Sequence, residues 1–444
     1  MRLFSRLSGN RKRQSSALAE PLALEHRPAG RNALYPAHHT EPSPALAARR
    51  QPRRSCVIVV ENLPVPFDRR VWQEATALRR AGWQVSVICP ATEHYPARFE
   101  EIDGICIYRH RLPLEARGRA AFLLEYVTAL LHEFRLLVKV WRERGFTVIQ
   151  ACNPPDLIFL VAWPFKLLGK RFLFDHHDVS PELFTAKFDR KGMLHRLLLM
   201  FEKMTFRAAD MVVSANDTFR DIAIDRGGKH PKDVVTVYSV PDRARIRRVR
   251  PAISIRNGRR FVLGYLGIVN NQDGVDHMVR AVEHLVRRDG FTDFQAVIVG
   301  DGPALPAVQA LTSSLGLDDH ITLTGYLSGE ALLQHISAFD VGMIPDPVND
   351  YNDKISMNKV FEYSALGIPS VAYPLTETRR LLGGAGLYAA SPDPSGLAAA
   401  CLRLFHDDAL REKCANAAAR LGREAFDWDA EARKYVAAFE RLVA

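Results

Sequence analysis

No window of eighteen residues in this chain of 444 is free of charged side chains, which excludes a helix that crosses a membrane. The first thirty residues lack the apolar core of a secretion signal. Cysteine is scarce. Cys56, Cys89, Cys106, Cys152, Cys401 and Cys414 show no paired metal-ligand spacing, and several sit in apolar strand-like runs such as Val85–Cys89. They read as buried reduced thiols, which points to the cytoplasm. No elbow with a nucleophilic serine or cysteine is present. Val299-Gly300-Asp301-Gly302 lacks the third glycine and the ribose acid of a dinucleotide fingerprint, and reads as a tight turn. Asp427-Trp428-Asp429 fits an Asp-x-Asp metal pattern, but it precedes the last helix, where Asp429 reads as an N-cap. No internal repeat is evident. The body has no basic stripe with interleaved aromatics, so nucleic acid is not an expected partner.

What is present is a globular apolar fraction of 47% and a length that suits two or three cores. The net charge of +10 is unevenly placed: residues 1–54 hold eleven Lys and Arg against three Glu, which leaves the body close to neutral. Such a tail, rich in Ala, Pro and Ser, cannot bury enough apolar surface to fold alone and reads as disordered. It suits an anionic lipid surface, where each cation contributes about 1 kcal/mol; the other reading is a solvated tail without function.

Strand and helix signals alternate along the body. The run 55–60 reads as a strand, followed by a helix from Arg70 with Val71, Ala75, Leu78 and Ala81 on one side and a stop at Gly82, then a strand over 84–89. Further strands are expected at 148–151, 172–175, 211–214 and 234–238, and in a second half at 261–266, 295–299, 321–324, 341–344, 370–373 and 387–389. Alternation of this kind predicts parallel sheets buried on both faces, with functional residues at the strand ends. The arginine-rich segment 241–260 reads as the linker. The expected divisions are a tail 1–54, a first domain 55–240, a second domain 241–428 and a final helix 429–444 that crosses back to the first domain. Two helical stretches, 119–143 (Phe122, Leu123, Leu130, Phe134, Leu137) and 192–207 (Leu194, Leu197, Leu198, Phe201), carry broad apolar faces beside basic residues. They suit either a sheet or a membrane interface.

Residues 352–373 hold a loop, a helix with one acid among apolar neighbours, a glycine stop and a strand. That acid is Glu362, with Val360, Phe361, Ala365 and Leu366 around it and Gly367 and Pro369 behind. An acid on a helix that opens toward strand ends can take the hydroxyls of a ribose, while the helix N-terminus meets a phosphate. The segment resembles the donor-binding segment of family 4 glycosyltransferases, in the branch whose motif runs NDK, MNK, EY-x-ALG-x-P. The resemblance continues in order through Phe67–Glu74, Asn153–Asp156, Asp175–Asp178 with Pro181-Glu182, Gln272–Asp276 and Val299–Pro303. It implies the α/β GT-B fold: two Rossmann-like, doubly wound parallel-sheet domains facing across a cleft, with the nucleotide-sugar donor held by the second and the acceptor by the first.

By the same resemblance His177 lies near the transferred sugar with Asp178 orienting it. Glu362 takes the ribose, and the loop after Gly267, through Asn271, Gln272 and Gly274, lies at the diphosphate with Gly302 beside it. Where the wider family has Arg and Lys in this loop the chain has Ile268 and Asp273, so Lys354 and Lys359 become the expected phosphate partners. The wider family's first glutamate falls on Lys354, a cation that cannot accept a sugar hydroxyl; Asp353 is the substitute acceptor, or Lys354 binds phosphate. On the acceptor side stand Asp68, Arg69, Arg70 and Asn153, where an arginine at a helix start opposes the macrodipole and suits a polyprenyl diphosphate. No metal and no cofactor is expected, since adjacent His-His-Asp lacks zinc spacing. The reaction implied is metal-independent, retaining glycosyl transfer from a nucleoside diphosphate sugar to a saccharide or lipid-linked acceptor in surface polysaccharide assembly, from the cytoplasmic face. A nucleotide-sugar 2-epimerase of the same architecture and a catalytically degenerate partner subunit are the alternatives.

Overall fold

The computed structural model describes residues 54–111, 119–154, 156–188 and 192–444. All but the last residue of the basic tail lies outside them. The first sheet has eight strands, β1 (Ser55–Val59), β2 (Gln84–Ala91), β3 (Phe99–Ile102), β4 (Ile105–Arg111), β5 (Val148–Cys152), β6 (Arg171–His176), β7 (Met211–Ser214) and β8 (Val234–Thr236), in the order β3-β4-β2-β1-β5-β6-β7-β8. Six more form the second sheet: β9 (Phe261–Leu266), β10 (Phe294–Val299), β11 (Ile321–Gly325), β12 (Val341–Ile344), β13 (Ser370–Ala372) and β14 (Gly386–Tyr388), ordered β11-β10-β9-β12-β13-β14. Every pairing in the second sheet is parallel.

The helices of the first half are α1 (Arg69–Arg80), α2 (Arg119–Glu143), α3 (Phe159–Leu167), α4 (Ser180–Phe188), α5 (Met193–Ala208) and α6 (Asp217–Asp221). Those of the second are α7 (Val275–Arg287), α8 (Leu305–Ser314), α9 (Gly329–Ser337), α10 (Asn358–Ala365), α11 (Thr376–Leu382), α12 (Pro394–His406), α13 (Asp408–Glu424) and α14 (Trp428–Val443). By contacts the described residues form two compact units, one from those within Met1–Phe174, Leu183–Asp210 and Arg441–Ala444, the other from Asp175–Glu182 and Met211–Glu440.

Strands buried on both faces account for the unbroken apolar runs: every residue of β1, β5, β7, β10 and β12 is buried. In the second unit Phe261, Phe291, Phe294 and Phe405 stack with centroids 5.0–5.9 Å apart. Of these, Phe261, Phe294 and Phe405 are buried, and each contributes roughly 1.5–3 kcal/mol.

Three features go beyond the reading of the sequence. A strand pair, β3 and antiparallel β4, joins the edge of the first sheet through Asp103-Gly104, both at positive φ, a turn whose twist matches a hairpin. In the segment 241–260, arginines tie down helix ends in the second unit. Arg243 donates to Gly422 and Arg423 carbonyls at 2.6 Å, closing α13, and Arg248 donates to Leu366 O at 2.6 Å, closing α10. The last helix begins at Trp428, so Asp427 holds the position before it and Asp429 lies in the first turn, where its charge still complements the dipole.

Candidate functional site

In the second unit the carboxyl ends of β9 and β10 open into glycine turns. Gly267 follows β9 and its N–H donates to Val299 O; Val269 N–H reaches Asp301 O at 3.0 Å. A Cβ at Gly300 would lie 1.8 Å from Gly267 O, and one at Gly274, the residue before α7, 2.1 Å from Pro345 O. Only glycine lets these backbones pass so closely. The turn at Gly302 is closed by Asp301, whose Oδ1 accepts from Gly302 N at 2.7 Å. Asn271 is exposed, and Gln272 O accepts from Asn352 Nδ2 at 3.3 Å.

Glu362 sits on α10, 4% exposed, with the helix closed behind it by Arg248. Its neighbour Tyr363 is fully buried and accepts from Leu266 N at 3.0 Å, which ties α10 to β9. Lys359 lies one turn before Glu362 and is itself buried. Its Nζ pairs with Asp346 at 3.1 Å and stands over the Tyr265 ring at 5.0 Å. Asp346 follows β12 and is 1% exposed. Burial raises its carboxyl, and the Lys359 ammonium opposes that rise. Asp273, where the wider pattern has a cation, accepts from Asn270 N at 3.0 Å; burial pushes it up to about 6 against the pull of Lys359. Lys359 is thus committed to carboxylates of its own unit.

Lys354 is more open. It pairs with Asp350 and stands 4.0 Å from Glu182, whose carboxylate takes Arg226 through both oxygens, at 2.6 and 3.3 Å. Asp353 accepts from Thr376 N at 2.7 Å and from its hydroxyl at 2.9 Å, so it caps α11.

At the end of β6, His177 Nδ1 lies 3.1 Å from Asp175 Oδ2, and Asp175 is fully buried. The carboxylate hydrogen-bonded to His177 Nδ1 is thus that of Asp175. Asp178 accepts from Val179 N at 2.8 Å and from the Tyr351 hydroxyl at 3.3 Å; burial raises its carboxyl, and the nearby His177 opposes that rise. His176 is fully buried and stacks on Phe219 at 4.9 Å; burial drives its imidazole down to about 3, so it stays neutral. In the first unit, Asp68 caps α1 by accepting from Val71 N at 3.1 Å. Arg69 is exposed, Arg70 pairs with buried Glu74 at 3.1 Å, and Asn153 donates to Asp156 at 3.1 Å.

Asp346 and Tyr351 were missed as members of these constellations, and Asp175 was placed in its cluster without its contact to His177. Asp346 follows its strand just as Asp175 ends one, so the strand-end rule reaches both.

A family profile described as "Glycosyl transferases group 1" matches residues 260–407, and one described as "Glycosyl transferase 4-like domain" matches 67–240. The chain belongs to these glycosyltransferases. It is 31% identical over 164 residues to an α-D-kanosaminyltransferase of Streptomyces kanamyceticus, 36% of this chain and 41% of that one. It is 27% identical over 293 residues to a 2-deoxystreptamine glucosyltransferase of the same organism, 62% and 74% of the two chains. A GDP-mannose-dependent α-(1-6)-phosphatidylinositol monomannoside mannosyltransferase of Mycolicibacterium smegmatis is 32% identical over 144 residues, 32% of this chain and 37% of that one. The fold is shared with a sucrose-phosphate synthase of Thermosynechococcus elongatus (TM-score 0.71, 17% identity, 88% of this chain and 99% of that one). It is shared too with Anabaena HepE in complex with UDP and glucose (TM-score 0.65, 14% identity, 87% and 100%). The glycosyltransferase architecture is thus GT-B, with two parallel-sheet α/β domains.

Proposed function

We propose that this glycosyltransferase moves a hexose, with retention and without a metal, from a nucleoside diphosphate sugar to a saccharide or lipid-linked acceptor in surface polysaccharide assembly. The observation that carries the reading is the donor face of the second unit: two glycine turns held backbone to backbone at adjacent strand ends, with Glu362 buried on the helix beside them. Glu362 takes the ribose hydroxyls. Backbone amides at the starts of α7 and α10 meet the diphosphate as it leaves, since helix N-termini favour anions. Lys354 supplies the mobile cation, and Lys359, locked to Asp346, fixes the helix rather than following the phosphate. His177, steadied by Asp175, meets the transferred sugar. Relatives named for GDP-mannose and for glucosyl and kanosaminyl transfer support a nucleotide-sugar donor.

The protein is further proposed to rest on an anionic membrane surface. No helix among the described residues is long and apolar enough to cross a membrane, so attachment would be lateral. Of the fourteen large apolar side chains exposed among the described residues, eight fall between Leu160 and Met204, which is why α3 and α5 are the proposed contact.

The test incubates the protein with radiolabelled UDP-, GDP- and dTDP-sugars, with and without membrane extract and with exhaustive EDTA. Transfer that survives EDTA and yields a product of unchanged anomeric configuration is the expected result. Epimerised donor would identify a 2-epimerase, turnover restored only by magnesium or manganese would end the metal-free reading, and no turnover at all would leave a degenerate partner.

A further inference from the structure

The donor face of the second unit holds more acid than an anion site needs, and its acids are packed together. Three contacts lay the loop after Gly267 against the start of α10 and the end of β12. Lys359 Nζ stands 5.0 Å over the Tyr265 ring, whose hydroxyl donates to Ile268 O at 2.8 Å. Asn352 Nδ2 donates both to Gln272 O at 3.3 Å and to Pro347 O at 2.8 Å. Gly274 passes so close to the chain around Asp346 that a Cβ there would meet Pro345 O at 2.1 Å and Pro347 Cδ at 2.9 Å. Asp273 and Asp346 are thereby brought to the same ammonium from two segments. Asp346 lies 3.1 Å from Lys359 Nζ, and the charges of both acids hold Lys359 ionised against its burial.

The charges do not balance. One ammonium faces two carboxylates, and Glu362, one turn along α10, adds a third acid whose field reaches Tyr265 together with theirs. Tyr265 and Tyr351 also face the cluster but add no charge, because burial raises their hydroxyls well above the usual range. A nucleoside diphosphate sugar at the starts of α7 and α10 brings further negative charge. Like charges in a partly desolvated site favour the neutral form of an acid, so positive charge has to enter with the ligand. Asp346 is tied to Lys359, and Glu362 has the ribose. Asp273 is only half-buried, and it accepts from Asn270 N and Nδ2 through one oxygen, Oδ2, which leaves Oδ1 to carry a proton. Burial has already brought it within reach of neutrality, at about 6.

We propose that the donor enters this site together with one proton, which Asp273 takes from solvent on Oδ1, so that donor binding and protonation of Asp273 are coupled. The inference rests on the donor role given to this face above. Protonated Asp273 keeps its bonds from Asn270 and ceases to repel the phosphates. A loop with an acid where cations were expected can hold a diphosphate in this way.

Calorimetry on the full chain with UDP-, GDP- and dTDP-glucose, in EDTA and again with magnesium, in buffers of differing ionisation enthalpy, reads the protons taken up on binding. The phosphates of these donors are diesters, which do not titrate near neutrality. At pH 7 the donor that binds should take up about half to one proton, and its affinity should fall as pH rises from 6 to 8, by up to about tenfold per pH unit. Asp273→Asn, whose amide oxygen still accepts from Asn270, should take up none and should bind several-fold more tightly than the parent at pH 8. An aspartate with a merely structural role gives the opposite sign, weaker binding in the variant at every pH. The parent's own uptake tests the coupling whether or not the variant folds. Binding to the parent without proton uptake overturns the coupling and leaves the donor reading standing. Uptake that persists in Asp273→Asn overturns the role of this residue. Binding that appears only with magnesium and takes up no proton assigns the positive charge to a metal and overturns the proposal too. If no sugar nucleotide binds under either condition, the donor reading falls and the coupling with it.

Discussion

In the ribose role proposed for Glu362 burial would give selectivity, since a ribose hydroxyl competes with water for an exposed carboxylate but not for one enclosed on α10. Replacing it with Gln keeps the shape and weakens the acceptor. Glu362→Gln should retain the fold and lose roughly 1.5–3 kcal/mol of nucleotide affinity by calorimetry, the worth of charge-assisted bonds; unchanged affinity removes it from the ribose site. The sequence pointed to Glu362 and His177 because each stands in a short motif at the end of a periodic segment. It did not supply their partners. Asp178 is next to His177 in the chain and Asp175 two residues away, and only the course of the backbone after β6 decides that Asp175 meets Nδ1 while Asp178 accepts from Tyr351. Lys359 reads as a free cation until Asp346, thirteen residues earlier, is found against it.

At the scale of elements, β7, β9 and β12 were expected to the residue, because each is a compact apolar run bounded by polar ends. The β3–β4 hairpin was not expected, although Asp103-Gly104 is a hairpin signal; β3 is four residues and only half-buried, so periodicity carries little there. The two helices with broad apolar faces separate once burial is known. On α2, Leu137 is buried, Leu130 and Phe134 are half-buried, and the side chains of Phe122 and Leu123 lie outside the described set. On α5, Glu202, Thr205 and Phe206 face inward, while Met193, Met200 and Met204 stand opposite at 80, 46 and 40% exposure. Arg196, Lys203 and Arg207 flank that methionine stripe, all exposed. An outward apolar stripe edged by cations suits an anionic bilayer surface. Met200→Glu with Met204→Glu should leave the melting temperature unchanged and lower flotation with phosphatidylglycerol vesicles several-fold; equal flotation would place attachment elsewhere, the basic tail included.

For the molecule as a whole, collinear motifs made the two-sheet architecture legible, since no single one of them would. What they could not reveal is how its buried titratable groups oppose one another. His176 is held neutral, pushed from the ordinary 6.5 to about 3. Between those values the unfolded chain binds the extra proton, so this contribution is complete above pH 6.5 and is lost as pH falls toward 3. Asp273 runs the other way. Raised from 3.8 to about 6, it favours the folded chain below 3.8, and that advantage is lost as pH rises through 6. Urea denaturation of His176→Phe should therefore show a shallower loss of stability than the parent from about pH 6.5 downward, by up to about 1.4 kcal/mol per pH unit; parallel curves would show that this ring does not set the acid limit. The glycine turns carry a consequence of another kind. Any change to a glycine codon that alters the residue adds a Cβ, and at Gly300 and Gly274 that atom would fall within 2.1 Å of a neighbouring carbonyl oxygen. Heredity therefore has no small step to try at these two positions. Variation is left to the places between them, and a lineage can exchange cations for Ile268 and Asp273 while passing on the same loop unaltered.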